Sequence, residues 1–83
     1  MAVSVIEEPI KVAAVFEGGK LTPVRFRWRG RAKRVRAVTG RWTSRDGTDT
    51  IHYFAIMGDD DVYYEISFST QTFVWRLEKL ETE

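Results

Sequence analysis

The chain has no cysteine, two prolines and a single histidine among its 83 residues. Each scarcity removes a class of explanation. Without cysteine there is no disulfide to staple a small domain, no thiolate zinc site and no thiol nucleophile. That usage points to a reducing compartment, and a cytoplasmic location is expected. His52 stands alone, so no recognisable zinc ligand set can form around it. No apolar run approaches a membrane span, and residues 1–10 carry no basic leader, so neither a membrane nor a signal peptide is expected.

Motifs with an identifiable chemistry are also missing. No glycine-rich phosphate loop occurs, and Ser44, Ser67 and Ser69 sit in no nucleophile elbow. Asp59-Asp60-Asp61 follows Gly58 without the ligand spacing of a calcium loop and reads as a solvated turn. No catalytic residue, metal or cofactor is therefore expected, and the chain reads as a non-enzyme.

Acidic residues are absent from one whole segment. Between Lys20 and Arg45 there are ten Lys and Arg and no Asp or Glu, whereas Asp46 to Glu83 holds nine acids and two bases. The net charge of +1 conceals this division. Segregated charge marks either a partner for anions or strands that neutralise one another in the fold.

What the chain does contain is period-two alternation, large side chains and turn signals. The 11 aromatic residues, three of them Trp, supply a core to a chain long enough for one domain, 1–83. Gly18-Gly19, Arg29-Gly30, Asp46-Gly47, Gly58 to Asp61 and Ser69 to Thr72 divide it into six extended segments. The expected fold is all-β: a six-stranded antiparallel meander, strongly curved or closed into a small barrel. Residues 1–8 and 79–83 are expected to fray.

Turns centred on Asp59-Asp60 and Thr70-Gln71 place Ala55 opposite Tyr64, Tyr53 opposite Ile66, and Ile66 opposite Trp75. A turn on Asp46-Gly47 places Trp42 opposite Ile51. One apolar face results, with Glu65 opposite Arg76 on the other. That other face also carries Phe54, Ile56, Tyr63 and Val74, more apolar surface than solvent requires. These four are the expected interface if the domain associates with itself or with another protein. Nearer the start, a Gly18-Gly19 turn sets Phe16 against Leu21 and Ala14 against Pro23. Beyond Pro23 the apolar parity changes, which a bulge explains.

The segment from Val24 to Arg36 is the most distinctive. Val24, Phe26, Trp28 and Val35 fall on one face, while Arg25, Arg27, Arg34 and Arg36 fall on the other and oppose one another. Either acidic side chains (Glu7, Glu8, Glu17, Glu78 and Glu81 are available) screen them, or an external anion does. The second alternative gives a binding module for nucleic acid or another anionic partner, with Arg25, Arg27, Arg29, Arg31, Arg34, Arg36 and Arg41 as its contact residues.

Phe26-Arg27-Trp28-Arg29-Gly30-Arg31, then Arg41-Trp42, Tyr64-Glu65-Ile66 and Trp75-Arg76-Leu77, resemble a family of small bacterial β-proteins of unknown function. Its mark is an aromatic-x-Trp-Arg-Gly-Arg turn; here Ala32-Lys33 stands where an aromatic is expected to follow. Some members are encoded near DNA-repair polymerase-like proteins, so the resemblance implies a DNA-related setting by association. It supplies no site residues.

Overall fold

Alternating apolar and polar residues between tight turns produce six strands. A computed structural model describes residues 2–82: β1 (Ala2–Glu17), β2 (Lys20–Trp28), β3 (Arg31–Asp46), β4 (Asp49–Gly58), β5 (Tyr63–Ser69) and β6 (Trp75–Thr82). Every neighbour in the meander pairs antiparallel, and β6 returns to β1, so the sheet closes. Closure leaves no pair of free outer strands to template aggregation.

The ring is not even round one axis, because β1 and β3 are 16 residues long and each serves two neighbours in turn. β1 pairs with β6 over Ala2–Ile10 and with β2 over Lys11–Glu17. β3 pairs with β2 only over Arg31–Arg34, then with β4 from Val35 onward. Register breaks cluster along these two strands, between Val5 and Glu8, Ala13 and Ala14, Val35 and Ala37, and Val38 and Gly40. Bulges increase local twist and bend, which is what a strand passing from one sheet to another requires. The break at Ala13 sets Pro23 opposite Ala14 and Arg25 opposite Ala13, leaving Val24 as the extra residue. This is the bulge expected beside Pro23, but Val24, expected on the face of Phe26 and Trp28, is the bulged residue and 41% exposed; the inward set is Leu21, Pro23, Phe26 and Trp28.

Phe26, Phe54, Ile56, Tyr64, Ile66 and Leu77 form the buried core, with Phe26 set edge-on to Tyr64 at 4.9 Å. Two of these residues correct the sequence reading. Phe54 and Ile56, expected on the outer face, are 3% and 0% exposed. The cause is one turn. Asp59–Asp61 forms a three-residue loop closed by the Gly58 N–H on the Val62 carbonyl, with Asp61 in the left-handed region at φ 63°. An odd loop shifts the register by one relative to a two-residue turn, so every side chain of β4 changes face. Ile56 lies opposite Tyr64 and Phe54 opposite Ile66, while Tyr53, Ala55 and Met57 share the other side.

The expected interface of Phe54, Ile56, Tyr63 and Val74 therefore does not exist as a surface. Tyr63 and Val74, each 43% exposed, are left at opposite ends of β5. The flanking turns err by two residues and keep their faces: Trp42 meets Tyr53 rather than Ile51, and Ile66 meets Leu77 rather than Trp75. Gly47, at φ 63°, opens the β3–β4 turn in the glycine-first manner of a type II′ hairpin, one residue beyond the expected centre. Arg76 consequently faces Ser67, and a further register break between Glu65 and Ile66 sets Glu65 opposite Lys79. At the ends expected to fray, Ala2–Val5 pair with Lys79–Thr82; Met1 and Glu83 lie outside the described residues.

Burial gives a direct check of the core. Ile66 is fully buried, and truncating such a residue costs about 2–5 kcal/mol. Ile66→Ala should therefore lower the urea midpoint sharply. Val3→Ala, at a position 56% exposed, should shift stability by about 0.5 kcal/mol or less.

Candidate functional site

The Arg29-Gly30 turn, with φ of 50° and 75°, makes a two-residue hairpin that places Trp28 opposite Arg31. Positive φ at both central residues defines a type I′ turn, which matches the twist of the strands it joins. The register then follows: Arg27 faces Ala32, and Arg25 faces Arg34. On the other side of β2, Lys11 faces Arg27 and Ala13 faces Arg25. Two rows thus cross three strands, Lys11–Arg27–Ala32 and Ala13–Arg25–Arg34, and all six residues are exposed. Lys11, Arg25 and Arg27 line a shallow concavity of about 330 Å³ floored by Ala13 and Ala32. Among the described residues, no carboxylate lies within ion-pair distance of Lys11, Arg25, Arg27 or Arg34.

Other cations of the basic segment are treated differently. The Arg29 guanidinium donates to Glu8 at 2.7 and 3.2 Å and lies over the Trp28 ring at 4.7 Å. Trp28 Nε1 donates to the same carboxylate at 3.0 Å. The bulge with Glu7 at φ 56° lets β1 bring Glu8 to this place. Hydrogen bonds from Arg29 and then Trp28 hold the Glu8 carboxyl below its ordinary range. Arg36 pairs with Asp61 at 2.6 Å and Lys33 with Asp60 at 3.1 Å. Asp60 also accepts the Tyr64 hydroxyl at 2.6 Å and the Val62 N–H at 3.2 Å. Burial raises its pKa, but these hydrogen bonds and the Lys33 charge together outweigh burial, so the net shift is downward. Tyr64 is pushed up, by burial first and by Asp60 second.

The expected cation set is therefore divided. Arg25, Arg27 and Arg34 come together; Arg29 and Arg36 are neutralised; Arg31 is the cross-strand partner of Trp28 and so belongs to the other side of the sheet; Arg41 lies further along β3. Of the acids expected to screen the strip, Glu8 alone does so, and only at Arg29. Glu78 instead accepts the Ser67 hydroxyl and lies 3.8 Å from Arg76. Lys11 was missed by sequence reasoning. The Gly18-Gly19 turn together with the Pro23 bulge places it opposite Arg27, had that register been carried one bulge further.

A second feature, also missed, lies at the opposite end of β2. Because β2 and β3 pair over only four residues, their remaining lengths diverge and leave a seam. Arg41 spans it, donating to the Leu21 carbonyl at 2.5 Å and the Thr22 hydroxyl at 3.1 Å, with its guanidinium 5.5 Å from the centre of the Phe54 ring. Beside the seam the barrel opens into a cavity of about 500 Å³ whose lining includes Phe16, Leu21, Arg41, His52, Phe68 and Phe73. Phe16 and Phe73 are 75% and 74% exposed. The only sequence signal was an apolar residue at each of two hairpin tips.

The two surfaces sit on a recognisable domain, since one family model matches residues 1–80. The chain belongs to the DUF6504 family. That family is described as a domain of unknown function, and no curated protein and no solved structure matches the chain. It carries no assigned chemistry to the DUF6504 fold, so the site rests on its geometry. His52 lines the cavity, and the three aspartates of the β4–β5 turn are committed to different tasks or to solvent. Among the described residues no cluster suited to a metal ion occurs.

Hydrogen-bonded and ion-paired carboxylates set the acid response of this DUF6504 domain. Glu8, Asp49 and Asp60 all have lowered pKa values; Asp49 owes its shift chiefly to the Ser69 hydroxyl. A lowered carboxyl contributes stability that is complete above its unfolded value and is lost as pH falls through its folded value. Thermal midpoints should hold near neutrality and drop below the ordinary values of 3.8 to 4.5. Asp60→Asn should lower the neutral midpoint and flatten the acid limb, measured by circular dichroism across pH.

Proposed function

We propose that the domain is a non-enzymatic nucleic-acid-binding module that holds the phosphate backbone with Lys11, Arg25, Arg27 and Arg34. One observation carries the reading: these four cations share an exposed face without a carboxylate partner among the described residues, while Arg29, Lys33 and Arg36 around them are each paired. Arg25 and Arg34 stand directly opposite each other, an arrangement that weakens a ladder unless an anion relieves it. Side chains on one face of a strand recur every ~6.6–7 Å, and neighbouring strands lie ~4.8 Å apart. The cations thus form a two-dimensional grid rather than a point, which suits a polyanion better than a single small anion.

The alanine floor supports the same reading. Ala13 and Ala32 occupy the two remaining positions of the two rows, so a backbone can approach without meeting a large side chain. Arginine adds bidentate contacts to phosphate that lysine does not make. Nothing on this face reads base edges, so the contact is expected to be indifferent to sequence.

Titration of labelled single-stranded and duplex DNA at about 50 mM salt should show binding that weakens steeply as salt rises. Engagement of all four cations by a single strand corresponds to a slope of log K on log salt of about −3. Arg27→Ala should weaken binding and reduce that slope by about one contact, while Arg29→Ala, whose guanidinium is held by Glu8, should change it little. Absence of binding at low salt overturns the proposal.

A further inference from the structure

We infer that the open end of the barrel is a stacking pocket for a base of single-stranded nucleic acid; the inference rests on the backbone-binding reading above and extends it to strand type. Three observations converge on that occupant. The first is the apolar lining. Phe16 arrives from the β1–β2 hairpin and Phe73 from the β5–β6 connection, so two rings from separate elements flank one opening. Each leaves about three-quarters of its surface in water (75% and 74%), an exposure that a bound flat apolar surface would relieve. Behind them Phe68 packs on Phe73 at 5.8 Å and on Trp75 at 4.8 Å, which backs the Phe73 side of the opening.

The second observation is charge. Lys20 and Arg41 line the cavity, and no carboxylate does. Arg41 is fixed by the Leu21 carbonyl and the Thr22 hydroxyl, which together use two of its five N–H donors. The remaining donors are available to a phosphate or to the edge of a base. An apolar aromatic wall with a pre-positioned guanidinium and no acid selects a ligand that is flat, apolar on its faces and anionic nearby. A nucleotide within a strand has that chemistry; an aliphatic peptide or a lipid tail has no use for the cations.

The third is continuity with the cationic face. Leu21 at the cavity and Arg25 on the grid are four residues apart on β2, ~13 Å at strand rise; Leu21 faces inward and Arg25 outward, so a strand that reaches both crosses the open rim of the barrel. The volume of about 500 Å³ lies within the range of small-molecule pockets. Duplex DNA offers its bases only at groove edges and cannot place one in such a cavity. Single strands can, and aromatic stacking platforms beside a basic track are how small barrels hold them.

Fluorescence anisotropy with three labelled ligands at low salt separates the two readings. The ligands are a thymidine 12-mer, an abasic 12-mer with the same number of phosphates, and a duplex. The native chain should bind the thymidine strand about 5- to 150-fold more tightly than the abasic strand, the range supplied by stacking one base. A Phe16→Ala/Phe73→Ala variant should lose that preference and keep its abasic affinity. An Arg25→Ala/Arg27→Ala variant should weaken all three ligands alike. Equal binding of thymidine and abasic strands by the native chain overturns the pocket while leaving the cationic face intact. No binding of any ligand overturns both. A change in sedimentation coefficient on removing the two Phe rings, without any loss of base preference, shows instead that the opening is a contact between copies of the chain. The comparison of ligands on the native chain needs no variant, so it decides the matter even if the double substitution disturbs folding.

Discussion

Closing six strands of so short a chain forces two of them to change partners part-way along, and the rest of the structure depends on that constraint. β1 leaves β6 for β2 at Ile10–Lys11, and β3 leaves β2 for β4 at Arg34–Val35. Each strand must bend to do so, and bulges supply the bend. The bulge before Glu8 brings that carboxylate to Trp28 and Arg29. Those between Val35 and Gly40 carry β3 away from β2. The short β2–β3 ladder follows from this divergence, and so do the seam spanned by Arg41 and the cavity beside it. Local backbone irregularity thus makes both the closure and the surfaces.

Charge is distributed by the same geometry. Cations near the β4–β5 turn meet Asp60 and Asp61, which that turn presents to Lys33 and Arg36. Asp60 also ties the turn to the core through the Tyr64 hydroxyl, so charge neutralisation and packing coincide there. On the outside of the β1–β2–β3 junction no acidic strand is close enough to do the same. Lys11, Arg25, Arg27 and Arg34 remain together over two alanines. Their isolation reflects topology: the acidic half of the chain forms β4 to β6, on the other part of the ring.

Much of the architecture was legible in the residues. Gly18-Gly19 and Arg29-Gly30 mark two-residue turns whose geometry dictates register directly, and Pro23 marks the bulge beside it. Tyr64, Ile66, Phe68, Trp75 and Leu77 alternate so strongly that their common face survived a two-residue error in the adjoining turn. The Asp59–Asp61 turn defeated the same logic. Three aspartates after a glycine specify a turn but not its length, and both faces of β4 are rich in apolar residues, so alternation could not arbitrate between them. Placing Phe54 and Ile56 outside was the result. Of the candidate site, the shared face of Arg25, Arg27 and Arg34 was legible because either placement of one turn gives it, whereas the pairing of Arg25 with Arg34 depended on which placement the chain takes. Lys11 and the lining of the cavity were not legible, because they gather residues from strands whose juxtaposition depends on bulges.

The sequence by itself determined six strands, antiparallel meander order and the separation of a basic hairpin from an acidic half, because turn chemistry and period-two alternation are local properties. Only the tertiary structure decided which face of β4 is the core, which arginines are neutralised and where the barrel stays open. Those outcomes depend on where β1 and β3 exchange partners and on a single extra residue in one turn. A shift of one residue reverses every side chain of a strand, and no local preference is strong enough to specify it.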